Sequence, residues 1–150
     1  GDNIFNVLQK TAELNGNKII PVPKGLGASE AKLPFYIDKH NSGANSLRGG
    51  GNQFAQGTGA TIAVTTLDNF VAENHLRHVD FIKADIEGAE RDLLKGATQT
   101  LKKFAPKLAL CTYHLPDDKQ VLEKLILDAN PNYTVRHLRH KLFAAVINKT

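Results

Sequence analysis

The chain has 150 residues, 41% of them hydrophobic and 23% charged, a composition ordinary for one globular domain spanning residues 1–150. Its net charge of +4 suits an anionic small ligand and does not by itself indicate nucleic acid. The sequence has one cysteine, no charged-then-apolar leader and no run near the roughly 18 apolar residues that span a bilayer, which together predict a cytoplasmic protein without a membrane partner.

The first part of the chain predicts a helix, two short strands and a glycine-rich loop. Residues 2–15 carry apolar side chains at helical spacing and end in an Asn-Gly stop. Strands are predicted at residues 19–22 and 33–37, with a turn at residues 24–27 between them. Residues 41–59 hold six of the twelve glycines, which predicts a surface loop or a lid over a ligand. No strand leads into this loop and it lacks a phosphate-binding pattern, so a phosphate site is not predicted there.

The middle of the chain predicts two strands, each followed by a helix. Residues 61–65 predict a strand and residues 67–73 a short helix. Residues 79–85 form an apolar run too short for a helix, which predicts a strand covered on both faces. Apolar residues then recur at helical spacing over residues 93–104, which predicts one helix.

The last part predicts a strand, a helix and a hairpin. Residues 107–114 form an apolar strand, so Cys111 within it is interpreted as a core residue and not as a nucleophile. Residues 116–129 form an amphipathic helix, and residues 133–138 and 142–147 form two strands close enough to pair. The alternation of strands and helices predicts an α/β fold with a mostly parallel sheet, helices on both faces and a C-terminal antiparallel hairpin.

Two carboxylates, Asp85 and Glu87, stand where the central strand should end. Ligands of a wound α/β sheet bind beyond the carboxyl ends of its strands, so this turn is the best candidate site. A carboxylate at a buried strand end costs solvation unless it has a partner or a task, which favours a functional Asp85, whereas Glu90 is interpreted as a favourable charge at a helix N-terminus. His114 ends the next strand, where its imidazole could act as a general base or cap the following helix.

Three further interpretations concern charged residues. Side chains of a strand alternate between its two faces, so Lys83 and Asp85 share a face and could form an ion pair. That pair could be structural or functional, and the sequence leaves both possibilities open. Asp85, Glu87 and His114 could also hold a divalent metal ion, but three ligands from two strand ends form a loose pattern, so no metal is predicted. The basic cluster at residues 136–141 is interpreted as a solvated edge and not as a nucleic-acid surface.

Several segments together form a recognisable pattern. The strongest is the block Lys83-Ala84-Asp85-Ile86-Glu87-Gly88-Ala89-Glu90. It is accompanied by Thr-Leu-Asp at residues 66–68, Leu-Lys-Gly-Ala at residues 94–97, Tyr113-His114, and a loop with asparagine and serine at residues 41–47. This pattern resembles the signature of FkbM-type methyltransferases, and the resemblance covers nearly the whole chain.

The resemblance implies a class I, Rossmann-like methyltransferase fold, S-adenosylmethionine as the methyl donor and a small-molecule hydroxyl on a sugar or natural product as the acceptor. It implies that Asp85 lies beside the donor or the acceptor, that His114 or Asp85 takes the hydroxyl proton, and that Glu87 contacts the acceptor or starts the helix. It places Gly25 and Leu26 near the adenine, with Asp85 as a third donor contact. The candidates for acceptor binding are Asn41, Ser46 and Lys83.

The family pattern also has parts that this sequence lacks. Family members begin with a strand, a glycine-rich turn, a helix and a second strand whose acidic end grips the ribose. The sequence is therefore expected to hold the C-terminal two thirds of an N-terminally truncated domain, with a gap in its sheet that a homo-oligomer or a partner chain would cover. Two functions stay open: an O-methyltransferase, and a non-catalytic binding or assembly module derived from that fold.

Overall fold

The structure, a computed structural model, describes residues 4–38 and 55–147, which form five helices and seven strands. The helices are α1 Ile4–Leu14, α2 Leu67–Glu73, α3 Glu90–Lys95, α4 Thr98–Phe104 and α5 Asp118–Ala129. The strands are β1 Gly25–Leu26, β2 Ala31–Asp38, β3 Ala55–Thr65, β4 Phe81–Ala84, β5 Lys107–Cys111, β6 Tyr133–Leu138 and β7 Lys141–Val146. Within the described ranges, no helix is long and apolar enough to cross a membrane.

The strands belong to two separate sheets. One has the order β1-β3-β2 and the other the order β4-β5-β7-β6. The pairs β1·β3 and β4·β5 are parallel, whereas β2·β3, β5·β7 and β6·β7 are antiparallel. The α/β class and the C-terminal hairpin are thus confirmed, but the mostly parallel sheet is confirmed only in these two pairs.

The hydrophobic core lies where the helices α2 to α5 pack on the four-stranded sheet. Its largest fully buried aliphatic side chains come from three helices and two strands: Leu94, Leu101, Leu108, Leu110, Leu122, Ile126 and Leu142. Burial of such side chains is the main source of stability in a domain of this size. This packing holds the carboxyl ends of β4 and β5 in place.

Strand β4 forms an edge of its sheet and is covered on one face only. Ile82 and Ala84 are buried in the core, whereas Phe81 is 57% exposed and Lys83 is exposed. The predicted alternation of the two faces is confirmed. The prediction that this strand is covered on both faces is wrong, because among the described residues only one face receives helices.

The predicted strand at residues 19–22 does not form. Pro21 and Pro23 lack the backbone N–H groups that a strand donates to its neighbour, and Ile20 is 86% exposed. A strand here would therefore form few hydrogen bonds and bury little apolar surface. The chain instead pairs through β1, which lies inside the predicted turn and runs parallel to the end of β3. Helix α1 is confirmed, although Ala12 is its one buried residue.

The helix predicted over residues 93–104 is two helices, α3 and α4, because Gly96 interrupts it. A Cβ atom at Gly96 would lie 2.0 Å from the carbonyl oxygen of Gly27, so only glycine allows this close backbone approach. The Gly96 carbonyl accepts a hydrogen bond from the backbone N–H of Asp68. The Asp68 carboxylate in turn accepts bonds from the N–H groups of Gln99 and Thr100, and thereby caps α4.

The glycine-rich segment is described only at its end. Residues 55–59, which were predicted as loop, belong to β3, and residues 41–54 lie outside the described residues. The predicted acceptor residues Asn41 and Ser46 therefore also lie outside them.

Candidate active site

The candidate site lies at the carboxyl ends of β4 and β5. These two strands pair in parallel, with Ala84 opposite Leu110, so they end side by side. Asp85 to Glu87 follow β4 directly, and His114 follows β5. The shared edge that the sequence predicted for Asp85 and His114 is thus present.

Asp85, Glu87 and His114 meet there, and we call these three residues the carboxylate–histidine cluster. His114 Nε2 lies 3.6 Å from Asp85 Oδ1 and 3.6 Å from Glu87 Oε2. The side chain of His114 is 7% exposed, that of Glu87 31% and that of Asp85 40%. The cluster is therefore open to solvent on the carboxylate side and closed behind the imidazole. Asp85 was expected to be buried and is not, so its carboxylate pays no burial cost, and its contacts with His114 and Tyr113 are what mark it as a site residue.

The turn between β4 and α3 positions Glu87. Glu87 has φ = 55° and Gly88 has φ = 89°, so both lie in the left-handed region. For a residue other than glycine this conformation costs on the order of 1 kcal/mol, and such costs concentrate at functional sites. In this turn the Glu87 carboxylate faces His114.

Glu90 closes the cluster from behind and is fully buried. Its Oε1 accepts a hydrogen bond from the backbone N–H of Ile86 (2.8 Å) and lies 3.5 Å from His114 Nδ1. Its Oε2 has no hydrogen-bond partner among the described residues. The interpretation of Glu90 as a helix N-terminal charge is therefore incomplete, because the same carboxylate stands against the imidazole.

Tyr113 and Cys111 surround Asp85. The Tyr113 hydroxyl donates a hydrogen bond to Asp85 Oδ1 (3.0 Å), and its ring packs on that of His114 with centroids 4.1 Å apart. Partial burial and the Asp85 carboxylate raise the pKa of Tyr113 to about 12, so its hydroxyl stays a donor. Burial and the same carboxylate raise the pKa of the Cys111 thiol to about 11. This agrees with the prediction that Cys111 is a core residue.

Lys83 does not join the cluster. Its side chain is exposed on the open face of β4, and the described residues include no ion pair between Lys83 and Asp85. The predicted Lys83–Asp85 pair is therefore wrong, because Asp85 follows the end of the strand and bonds to Tyr113 instead.

Gly25 and Leu26 are held by β3 on the other sheet, opposite Val64 and Thr65. Leu26 lines a cavity of about 230 Å³ that extends to Ala89, next to the turn that carries Glu87. A larger cavity of about 480 Å³ lies between α2 and α4 and is lined by none of the predicted site residues. We consider the smaller cavity the more relevant one, since it adjoins the candidate site.

An ion pair fixes the loop that carries His114. The Arg91 guanidinium contacts Asp117 (2.6 Å) and Asp118 (2.8 Å), and Asp118 also accepts a hydrogen bond from the backbone N–H of Leu115. The hydrogen bond from Arg91 lowers the pKa of the Asp117 carboxyl. Asp118 begins α5, two residues later than the predicted start at residue 116. Arg91 thus ties α3 to the start of α5 and holds the loop between β5 and α5.

The sequence assigned no role in the site to three residues of this arrangement: Tyr113, Arg91 and Glu90, which was interpreted as a helix N-terminal charge. Glu90 and Tyr113 belong to the segments that carry the family pattern, and that pattern was the only signal for them. Nothing in the spacing of Arg91 and Asp118 along the chain could have revealed their contact.

Comparisons with known proteins agree with this fold. The family model of the methyltransferase FkbM domain matches residues 4–144. The crystal structure of methyltransferase FkbM from Methylobacillus flagellatus KT superposes with a TM-score of 0.60 and 24% sequence identity, over 95% of this chain and 32% of that chain. The chain thus spans about a third of the length of that structure. No curated protein matches the chain.

Proposed function

Since the chain belongs to the FkbM methyltransferase family, we propose that it contributes the acceptor side and part of the donor site of an S-adenosylmethionine-dependent O-methyltransferase acting on a hydroxyl of a sugar or natural product. The observation that carries this proposal is the carboxylate–histidine cluster at the joined ends of β4 and β5. The proposed fold is the class I, Rossmann-like one, and the parallel pairs β1·β3 and β4·β5 support it.

The cluster suits the chemistry of hydroxyl methylation. The methyl group passes from the sulfonium sulfur to the acceptor oxygen, the C–S bond breaks as the O–C bond forms, and the hydroxyl proton needs an acceptor. His114 and Asp85 are the two candidates, because His114 Nε2 and Asp85 Oδ1 face the same space. Glu87 would hold the acceptor hydroxyl, and Glu90 behind the ring would stabilise a protonated imidazole.

The donor would lie between the two sheets. The cavity of about 230 Å³ beside Leu26 supports an adenine position there, with Gly25 in the backbone of β1 next to it. Asp85, 40% exposed, would face the methyl-bearing end of the donor. Lys83 stays a proposed acceptor contact from the open face of β4.

The first test is binding of the donor. A calorimetric titration of the chain with S-adenosylmethionine is expected to give a saturable site with a micromolar Kd. No binding at millimolar donor would refute donor binding by this chain on its own.

The second test is catalysis with a matched pair of variants. Loss of a group that takes or orients the proton costs about 10²- to 10⁴-fold in rate, so Asp85→Asn should lower methyl transfer by that factor. Asp80→Asn is the control, since Asp80 is exposed at the other end of the same strand. His114→Gln should lower methyl transfer by a similar factor if His114 takes the proton. Unchanged transfer in Asp85→Asn would show that Asp85 has no such role.

A second candidate function is a non-catalytic assembly module. It is favoured by apolar side chains left open to solvent, among them Ile4 (54% exposed) and Val7 (57%) on α1, and Phe81 (57%) on β4, which forms an edge of its sheet among the described residues. A second copy of the chain could cover this edge. Light scattering that gives the mass of a dimer, together with no donor binding, would favour the module; a monomer that binds the donor would exclude it.

A further inference from the structure

We propose that the carboxylate–histidine cluster is a binding site for one divalent transition-metal cation of the Zn²⁺ class, with His114 Nε2, Asp85 Oδ1 and Glu87 Oε2 as its ligands. The inference does not depend on methyl transfer, because it concerns what these three side chains bind and not what they catalyse.

The positions of the ligand atoms support a single ion. No two of the three atoms are more than 4.8 Å apart, and Nε2 is 3.6 Å from each carboxylate oxygen. Ligands at about 2.1 Å from a tetrahedral Zn²⁺ lie about 3.4 Å from one another. A small inward movement of the two partly exposed carboxylates would therefore complete three of four ligand positions and leave the fourth open to solvent.

The imidazole is the independent sign of a ligand. The side chain of His114 is more than nine-tenths buried, yet neither of its ring nitrogens has a hydrogen-bond partner among the described residues. Buried polar groups are almost always hydrogen-bonded, so a histidine with a purely structural role would have at least one such bond. Nε2 faces the two carboxylates at a distance too long for a hydrogen bond and suited to an ion between them.

Glu90 completes the arrangement from the other side of the ring. Metal-binding histidines generally direct their second ring nitrogen to a carboxylate or a carbonyl, which fixes the tautomer with the free electron pair toward the metal. Glu90 Oε1 lies 3.5 Å from His114 Nδ1 and is itself held by the N–H of Ile86. Glu90 thus stands 3.5 Å from Nδ1, where such a carboxylate is expected, and we assign it the positioning role that a bound ion at Nε2 requires.

The local charge favours a cation. Three carboxylates surround one imidazole, and in the described part of the chain none of them forms an ion pair with a lysine or an arginine. Ionised carboxylates this close together repel one another, and a divalent ion offsets that repulsion. The mixed nitrogen and oxygen ligand set favours Zn²⁺ or Co²⁺ over Mg²⁺, which prefers oxygen alone.

The test is a calorimetric titration of the whole chain with Zn²⁺, with Mg²⁺ as the comparison and the absorption spectrum of bound Co²⁺ as the readout of ligand type. We expect one Zn²⁺ per chain with a micromolar Kd, weakened at least tenfold in Glu87→Gln and in His114→Gln. Glu90→Gln should weaken it by about 10- to 100-fold without removing a ligand. His137→Gln is the matched control, since His137 also faces a carboxylate, Glu123, but outside the cluster.

The outcomes separate the alternatives. Zn²⁺ affinity that is equal in the wild type, Glu87→Gln and His114→Gln would place the ion elsewhere and overturn the inference, as would the absence of Zn²⁺ binding. If His114→Gln does not fold, Glu87→Gln still decides, because Glu87 is partly exposed on a turn. Zn²⁺ binding without binding of S-adenosylmethionine would support the metal site and refute the proposed donor binding of the isolated chain. The two proposals can therefore fail separately.

Discussion

Replacing Arg91 by methionine is expected to destabilise the protein through the buried carboxylate of Asp118. The Arg91 side chain is 16% exposed and that of Asp118 is fully buried, whereas Asp117, its second partner, is 63% exposed. The contact with Asp117 is close to a surface ion pair and contributes little. The contact with Asp118 decides the result, since Arg91→Met leaves a buried carboxylate with the N–H of Leu115 as its remaining hydrogen-bond donor.

The expected loss is that of a broken buried pair, about 3–5 kcal/mol in the free energy of unfolding. In a domain of this size 1 kcal/mol shifts Tm by about 2–4 °C, so Tm should fall by roughly 6–20 °C. Urea denaturation followed by circular dichroism measures both quantities. Lys124→Met is the control, because Lys124 and Asp128 form an exposed pair on α5, and it should cost less than about 1 kcal/mol. If Arg91→Met cost no more than this control, Arg91 would not be what holds the start of α5.

Three further predictions concern packing and protonation. Gly96→Ala should lower the free energy of unfolding by about 1–3 kcal/mol, since the new Cβ would lie 2.0 Å from the Gly27 carbonyl oxygen. Lys102→Ala, at an exposed position, is the control, and a Gly96→Ala variant as stable as this control would contradict the prediction. The Cys111 thiol, with a pKa of about 11, should resist alkylation at pH 8 in the folded protein and react once urea unfolds it, so rapid labelling of the native chain would argue against its burial. Burial raises the pKa of Tyr133 to about 12, whereas an unfolded tyrosine ionises near 10. The unfolded state therefore loses this proton first, and stability should fall as the pH rises from about 10 to 12; Tyr133→Phe should reduce that fall, and an identical pH profile in the variant would refute the assignment.

The family pattern in this chain is largely a pattern of structural contacts. Asp68 caps α4 and binds the Gly96 carbonyl through its own N–H, and Gly96 allows the approach of Gly27. These contacts connect α2 to α4 and to the Gly96 junction between α3 and α4. Only the block around Asp85 and the segment with His114 bring side chains to the candidate site. A match to this pattern therefore identifies the fold more directly than it identifies the chemistry.

The sequence predicts well those elements whose apolar residues recur at regular spacing along the chain. Helix α2 has the predicted bounds, and the hairpin of β6 and β7 forms where two alternating segments stand close together. The parallel neighbours β4 and β5 were also expected, since one helical segment separates their apolar runs. These features follow from periodicity and turn residues, which act over a few residues.

The sequence by itself determined the family, the α/β class and the edge at which Asp85, Glu87 and His114 meet, because strand ends and turns are local properties. Only the tertiary structure decided which of these groups face one another. In the structure Asp85 accepts a hydrogen bond from Tyr113 instead of pairing with Lys83, and the buried Glu90 lies next to Nδ1 of His114. It also replaced the predicted strand at residues 19–22 by β1. The physical reason is that contacts between different elements depend on how separate segments of the chain pack together. The spacing of residues within one segment does not specify that packing.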